Sequence, residues 1–131
     1  MNQLYAEPSP SILLVDDKTE NLFVLEKLLK KLEVNLLKAS SGNEALSVAL
    51  QQENLILVLL DVNMPGMDGY ETCRQIRRDS KLNSKVPIIA MTALAMQGDY
   101  DKCMLAGMNG YITKPINFDK LIKLITETIQ K

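Results

Sequence analysis

Leu55 to Leu60 is a run of six apolar residues with no polar interruption, and Asp61 follows it at once. A strand with one wet face alternates apolar and polar residues, so an unbroken run needs a strand covered on both faces. Shorter runs repeat the theme at Ile12–Val15, Val34–Lys38, Val86–Met91 and Tyr111–Ile112. The second of these is the weakest, and Pro87 sits near a strand start, where a missing donor is tolerable.

Helical patterns lie between the runs. Leu22, Leu25, Leu28, Leu29 and Leu32 recur at helical spacing, with Glu26, Lys27, Lys30 and Lys31 on the other side. Ser41 followed by Glu44 reads as a capping box, and Asp68 followed by Glu71 opens a third helix. A fourth helix is predicted over Asp99–Ala106 with Gly107 as its stop, and a fifth starts at Asn117 and runs through Leu121, Ile122, Ile125 and Ile129. Five strands alternating with five helices imply an α/β fold, a parallel sheet with helices on both faces joined by right-handed crossovers. Residues 1–10 read as a tail and residues 11–131 as one domain.

Composition narrows the chemistry. Fifteen basic and sixteen acidic residues leave a net charge of −1, which gives no electrostatic basis for direct nucleic-acid binding. No apolar run approaches the length that spans a bilayer, and the N-terminus lacks a basic start followed by an apolar stretch, so neither membrane insertion nor secretion is expected. Cys73 and Cys103 lack metal-type spacing and read as free thiols in a reducing cytoplasm. There is no histidine, so Ser-His-Asp and Cys-His chemistry are excluded and the chain cannot itself carry phosphohistidine. Any site must be built from carboxylates, lysine and hydroxyls.

In open parallel sheets, ligands bind outside the carboxyl ends of the strands. Asp16 and Asp17 follow the first run, Asp61 the third, Thr92 the fourth and Lys114 the fifth. Carboxylates crowded at one rim destabilise a fold unless a cation joins them. Asp17 and Asp61 suit Mg²⁺ as oxygen ligands, Asp16 suits one of its waters, and the backbone carbonyl of Asn63 is placed to add another ligand. Asp61 is the nucleophile of such a set, forming an acyl phosphate, with Lys114 and Thr92 on the phosphoryl oxygens.

The segments Leu13–Asp17, Leu59–Gly69, Met91–Ala93 and Thr113–Pro115 resemble the receiver domains of two-component response regulators, in order and over nearly the whole chain. The resemblance implies a flavodoxin-like sheet of strand order 2-1-3-4-5 with five helices. It implies that Asp61 takes its phosphoryl group from a phosphohistidine on a histidine kinase or phosphotransfer protein, with Mg²⁺ held by Asp16, Asp17, Asp61 and the Asn63 carbonyl. It gives Lys114 and Thr92 to the phosphoryl group, Thr92 and Tyr111 to a switch, and a cis bond before Pro115, the residue type for which that geometry is cheap. Phosphorylation then shifts the face made by the fourth helix, fifth strand and fifth helix toward an output domain, a relay or a homodimer partner. No enzyme activity is implied beyond self-catalysed phosphorylation and dephosphorylation at Asp61. Asn63 and Leu94 flank the path of attacking water and tune phosphoryl lifetime.

Some features depart from the family or have plainer readings. Many members carry an acidic residue near the start of the third strand, where this chain has Ile56. The segment Ala93–Asp99 with Cys103 and Ala106–Met108 is most similar to receivers of hybrid sensor kinases. Arg77, Arg78, Lys81 and Lys85 read as a solvated basic helix end, and Met64, Met67, Met91, Met96, Met104 and Met108 as core filler. The rival functions are an interaction module that is not phosphorylated, an aspartyl-nucleophile Mg²⁺ phosphatase, and a flavin or nucleotide carrier. The phosphatase needs a second acid two residues after the nucleophile, where Asn63 stands. The carrier needs a glycine-rich loop where Asp16 and Asp17 stand.

Overall fold

The structure is a computed structural model that describes residues 10–93 and 97–129. The expected tail lies outside the described residues apart from Pro10, as do Leu94 and Met96. The elements alternate throughout: β1 (Ser11–Val15), α1 (Thr19–Leu29), β2 (Asn35–Ala39), α2 (Gly42–Gln51), β3 (Leu55–Asp61), α3 (Gly69–Asp79), β4 (Ile88–Thr92), α4 (Gln97–Ala106), β5 (Gly110–Thr113) and α5 (Phe118–Ile129). All pairings are parallel, and the sheet runs β2-β1-β3-β4-β5, the order that the resemblance implies.

The period-two geometry of strands splits the interior into two layers. Leu13, Val15, Val58, Leu60, Ile88 and Ala90 face α2, α3 and α4, where Ala45, Ala49, Cys73, Ile76, Cys103 and Ala106 meet them. Ile12, Leu14, Leu57, Leu59, Ile89, Met91 and Ile112 face α1 and α5, against Leu22, Leu25, Leu29, Leu121 and Ile125. β3 lies between β1 and β4, so its apolar run is covered above, below and on both edges. Each such side chain contributes about 1.5–3 kcal/mol on burial. Ile56 sits half-buried at the far end of β3 from Asp61, packed against the α1/α5 layer.

Local chemistry sets the helix ends. Ser41 Oγ accepts from Glu44 N at 3.1 Å, but the reciprocal Glu44 carboxylate accepts from Ser40 N at 2.6 Å, one residue earlier than a capping box requires. Asp68 Oδ1 and Asn117 Oδ1 cap α3 and α5 by accepting from Glu71 N and Lys120 N, both at 2.9 Å. Gly107, at φ +98°, ends α4: its N–H reaches Met104 O and the Met108 N–H reaches Cys103 O, both at 3.0 Å. That paired closure needs a left-handed residue. Both cysteines are buried and free.

Arg77 is not part of a solvated basic end. Its guanidinium spends all its N–H groups inward: Nε and Nη2 on Gly107 O at 3.0 and 2.7 Å, Nη2 on Asn109 Oδ1 at 3.0 Å, and Nη1 on Ser84 O and Val86 O at 3.1 and 2.7 Å. Charge and sequence spacing placed it with Arg78, but the α4–β5 corner and the entry to β4 fold over it. The methionines divide as well: Met64, Met91 and Met108 are buried, while Met104 is 43% exposed.

Leu59→Ala is expected to lower the unfolding free energy by about 2–5 kcal/mol in urea titration, the cost of a cavity in a filled core. A loss below about 1 kcal/mol would mean that the α1/α5 layer does not close on β3.

Candidate functional site

The ladder continues one residue past three strands: Asp16 N donates to Ala39 O at 3.1 Å, Val62 N to Met91 O at 3.1 Å and Lys114 N to Thr92 O at 2.8 Å. Residues that would otherwise be loop are thereby held in strand alternation. Asp16 keeps the side of Ile12 and Leu14, Asp61 that of Leu57 and Leu59, and Lys114 that of Ile112. Backbone close approach tightens the β3–α3 turn further. A Cβ at Gly69 would overlap the Asp61 carbonyl and lie 2.6 Å from Val62 Cα, so glycine is the residue that fits.

Three carboxylates meet there. Asp16, Asp17 and Asp61 each present an oxygen, all within 4.8 Å of one another. Asp16 is 0% exposed and Asp61 3%. Lys114 bridges the two buried members, with Nζ 3.1 Å from Asp16 Oδ2 and 3.4 Å from Asp61 Oδ1. Its own side chain remains 26% exposed, so the cation reaches in from the solvent side. Asp61 Oδ1 also accepts from Asn63 N at 3.2 Å. The Asp61 pKa lies above its ordinary value: burial is the main cause and Asp16 adds to it, while the Asn63 N–H and Lys114 oppose it.

The other residues singled out from the sequence are distributed around this cluster. Thr92 ends β4, buried, in register with Thr113 and on the side of Ile88 and Ala90, the opposite layer from Asp61. Tyr111 is half-buried on β5 on that same layer, its ring 5.9 Å from Tyr100 of α4 at an interplanar angle of 64°. Asn63 is exposed just beyond Asp61. The Lys114–Pro115 peptide bond is cis.

Two contributors escaped sequence reading. Lys18 N donates to Asp16 Oδ1 at 3.0 Å, and Asn21 Nδ2 to Asp16 Oδ2 at 3.1 Å. Asn21 left a trace in the sequence, since it heads the stripe Asn21, Leu25, Leu28, Leu32, and an amide on an apolar stripe asks for a buried partner. A groove of about 270 Å³ adjoins the cluster, lined among others by Asp16, Asn21, Val24, Lys114, Pro115 and Ile116.

The donor set suits a small divalent cation. Hard carboxylate oxygens at this spacing match what Mg²⁺ takes, and the crowding of Asp16 and Asp61 is relieved by added positive charge.

Known proteins are similar in sequence and in fold. The family model described as "Response regulator receiver domain" matches residues 12–126. The sensor protein GacS of Pseudomonas syringae is 37% identical over 119 residues, covering 89% of this chain but 13% of its own length. The chain thus spans about one-eighth of that relative. The receiver domain of sensor histidine kinase PA1611 from Pseudomonas aeruginosa, crystallised with magnesium in its active-site cleft, is 35% identical at a TM-score of 0.83, over 94% of this chain and 99% of that one. The receiver of Ssk1, solved in complex with the phosphotransfer protein Ypd1 of Saccharomyces cerevisiae, is 33% identical at a TM-score of 0.83, over 94% and 90%.

Because its native pKa is raised, ionised Asp61 costs stability in the metal-free protein. The stability this group confers is present below the unfolded pKa of 3.8 and is lost as pH rises through the raised native value. Asp61→Asn is therefore expected to unfold at higher urea than the parent chain at pH 7 without divalent metal, the gap closing as pH falls below 3.8. An equal or lower midpoint at pH 7 would show that Lys114 more than offsets burial.

Proposed function

The chain belongs to the response regulator receiver domain family of two-component phosphorelay signalling, and from that premise we propose that Asp61 accepts a phosphoryl group from a phosphohistidine in a Mg²⁺-dependent reaction. The observation that carries this reading is the single lysine spanning two buried carboxylates within a three-carboxylate cluster. Carboxylates crowded and buried in this way are relieved by added positive charge, which supports a cation-assisted reaction at Asp61.

In this reading Asp61 attacks phosphorus with a carboxylate oxygen. An O–P bond forms, the N–P bond of the donor breaks, and the imidazole leaves and regains its proton from water. Asp16, Asp17, Asp61 and the Asn63 carbonyl would hold Mg²⁺, which would neutralise the carboxylates and supply positive charge to the phosphoryl oxygens. Lys114 leaves its bridging place to meet one phosphoryl oxygen, and the Thr92 hydroxyl meets another. Thr92 stands on the side of the sheet covered by α4, next to the strand that carries Tyr111, so its movement bears on the α4-β5-α5 face. That face is the proposed output, toward an attached domain, a relay or a second copy. Hydrolysis of the acyl phosphate is self-catalysed, and the module is a switch rather than an enzyme with a separate substrate.

The donor partner is a histidine kinase or phosphotransfer protein, in keeping with the Ypd1–Ssk1 complex. No helix among the described residues is long and apolar enough to cross a membrane, and we assign the domain to the cytoplasm, where such donors present their phosphohistidine. The domain boundary is proposed at residue 11, where β1 begins.

Incubation with acetyl phosphate is expected to add one phosphoryl mass to the intact protein, with Mg²⁺ only, and none to Asp61→Asn. No gain in the parent chain when Mg²⁺ binds would turn the reading toward an interaction module. Thr92→Ala is expected to take up phosphoryl but to lose the change in partner affinity that phosphorylation brings. A full wild-type change in that variant would remove Thr92 from the switch.

A further inference from the structure

We propose that Asn21 is a positioning residue for the acidic cluster: its side-chain amide holds the Asp16 carboxylate in a cation-ready orientation while Lys114 is drawn away to the phosphoryl group. The proposal rests on the reading of Asp61 as a Mg²⁺-dependent phosphoacceptor.

Asp16 is 0% exposed, so its oxygens depend on protein donors. Oδ1 accepts from Lys18 N at 3.0 Å, and Oδ2 accepts from Asn21 Nδ2 and Lys114 Nζ, both at 3.1 Å. The donors differ in kind. Lys18 N and Asn21 are set by the first turn of α1, where Asn21 N donates to Lys18 O at 3.0 Å and Leu22 N to the same oxygen at 3.3 Å. Lys114 alone has a rival attachment, its 3.4 Å ion pair with Asp61. When Lys114 turns to the phosphoryl oxygen, Oδ2 loses its cation and Asn21 remains.

The residue type matters. An ionised carboxylate accepts and cannot donate, so the Asn21 edge facing Oδ2 must be its NH₂ group. A neutral donor fixes the direction of the carboxylate without cancelling its charge. A lysine at this position would compete with a metal, and a carboxylate would add repulsion. Residues that orient a ligating group from behind govern metal affinity although they never touch the metal. Asn21 stands in that relation to Asp16, and its place at the head of a leucine stripe brings it there.

The test titrates the full chain with magnesium chloride, following the amide chemical shifts of Asp16, Asp61 and Val62, for the parent chain, Asn21→Ala and the similar-sized Asn21→Leu. Both variants are expected to bind Mg²⁺ about tenfold or more weakly, yet to reach the parent phosphoryl gain from acetyl phosphate once Mg²⁺ is saturating. A merely structural residue would give no defect that Mg²⁺ concentration repairs. Parent-like Mg²⁺ affinity in the variants, a phosphorylation deficit that persists at saturating Mg²⁺, or failure of both variants to fold would each overturn the proposal. A parent chain whose shifts ignore Mg²⁺ would instead overturn the phosphoacceptor reading beneath it.

Discussion

Asp16 and Asp61 are almost wholly removed from water, and one lysine serves both. Burying an ionised carboxylate is costly unless donors or cations meet it, and much of the fold at this rim supplies them. The strand ladder runs past its regular end to place Asp16 and Lys114. The first turn of α1 turns an N–H and an amide toward Asp16. Gly69 lets α3 begin directly against the Asp61 carbonyl.

The alternation of strand side chains sorts the core and the site by the same rule. Asp16, Asp61 and Lys114 share the parity of the side chains that pack on α1 and α5, whereas Thr92 and Tyr111 share that of the side chains that pack on α2, α3 and α4. Asp16, Asp61 and Lys114 therefore stand on one side of the sheet and Thr92 and Tyr111 on the other, and Thr92, which the proposed mechanism also brings to the phosphoryl group, links the two. A single-residue slip in one strand would turn that strand's site residue to the other side. The filled apolar layers guard against that slip, since it would also turn buried leucines and isoleucines to the wrong helices.

What was legible in the sequence follows the same physics. Unbroken apolar runs revealed strands covered on both faces, and the polar residues after four of the five runs revealed the rim, because both are one-dimensional signals. The β4 boundary was less legible. Val86 and Pro87 are apolar, but parallel pairing to β3 starts at Ile88, and Pro87 contributes its carbonyl to Val58 N instead. Asn21 and Arg77 were hidden for a further reason. Their partners lie across a loop or a corner, Asp16 for one and Gly107 and Asn109 for the other, and the helical stripe that Asn21 heads shows that it needs a partner without showing which. Arg77 beside Arg78 looked like surface charge because the fold that encloses it is distant in sequence.

The guanidinium of Arg77 is met by backbone carbonyls and one side-chain amide, with no carboxylate among its hydrogen-bond partners in the described residues. None of these acceptors titrates across the ordinary range, and the bonds are short-range contacts rather than an exposed ion pair that salt would screen. They lie at the edge of the sheet where β4 and β5 begin, opposite the carboxylates. Solvent conditions therefore act on the molecule unevenly: acidity and counter-ions tune one pole, while the other keeps its geometry as the ionic medium changes.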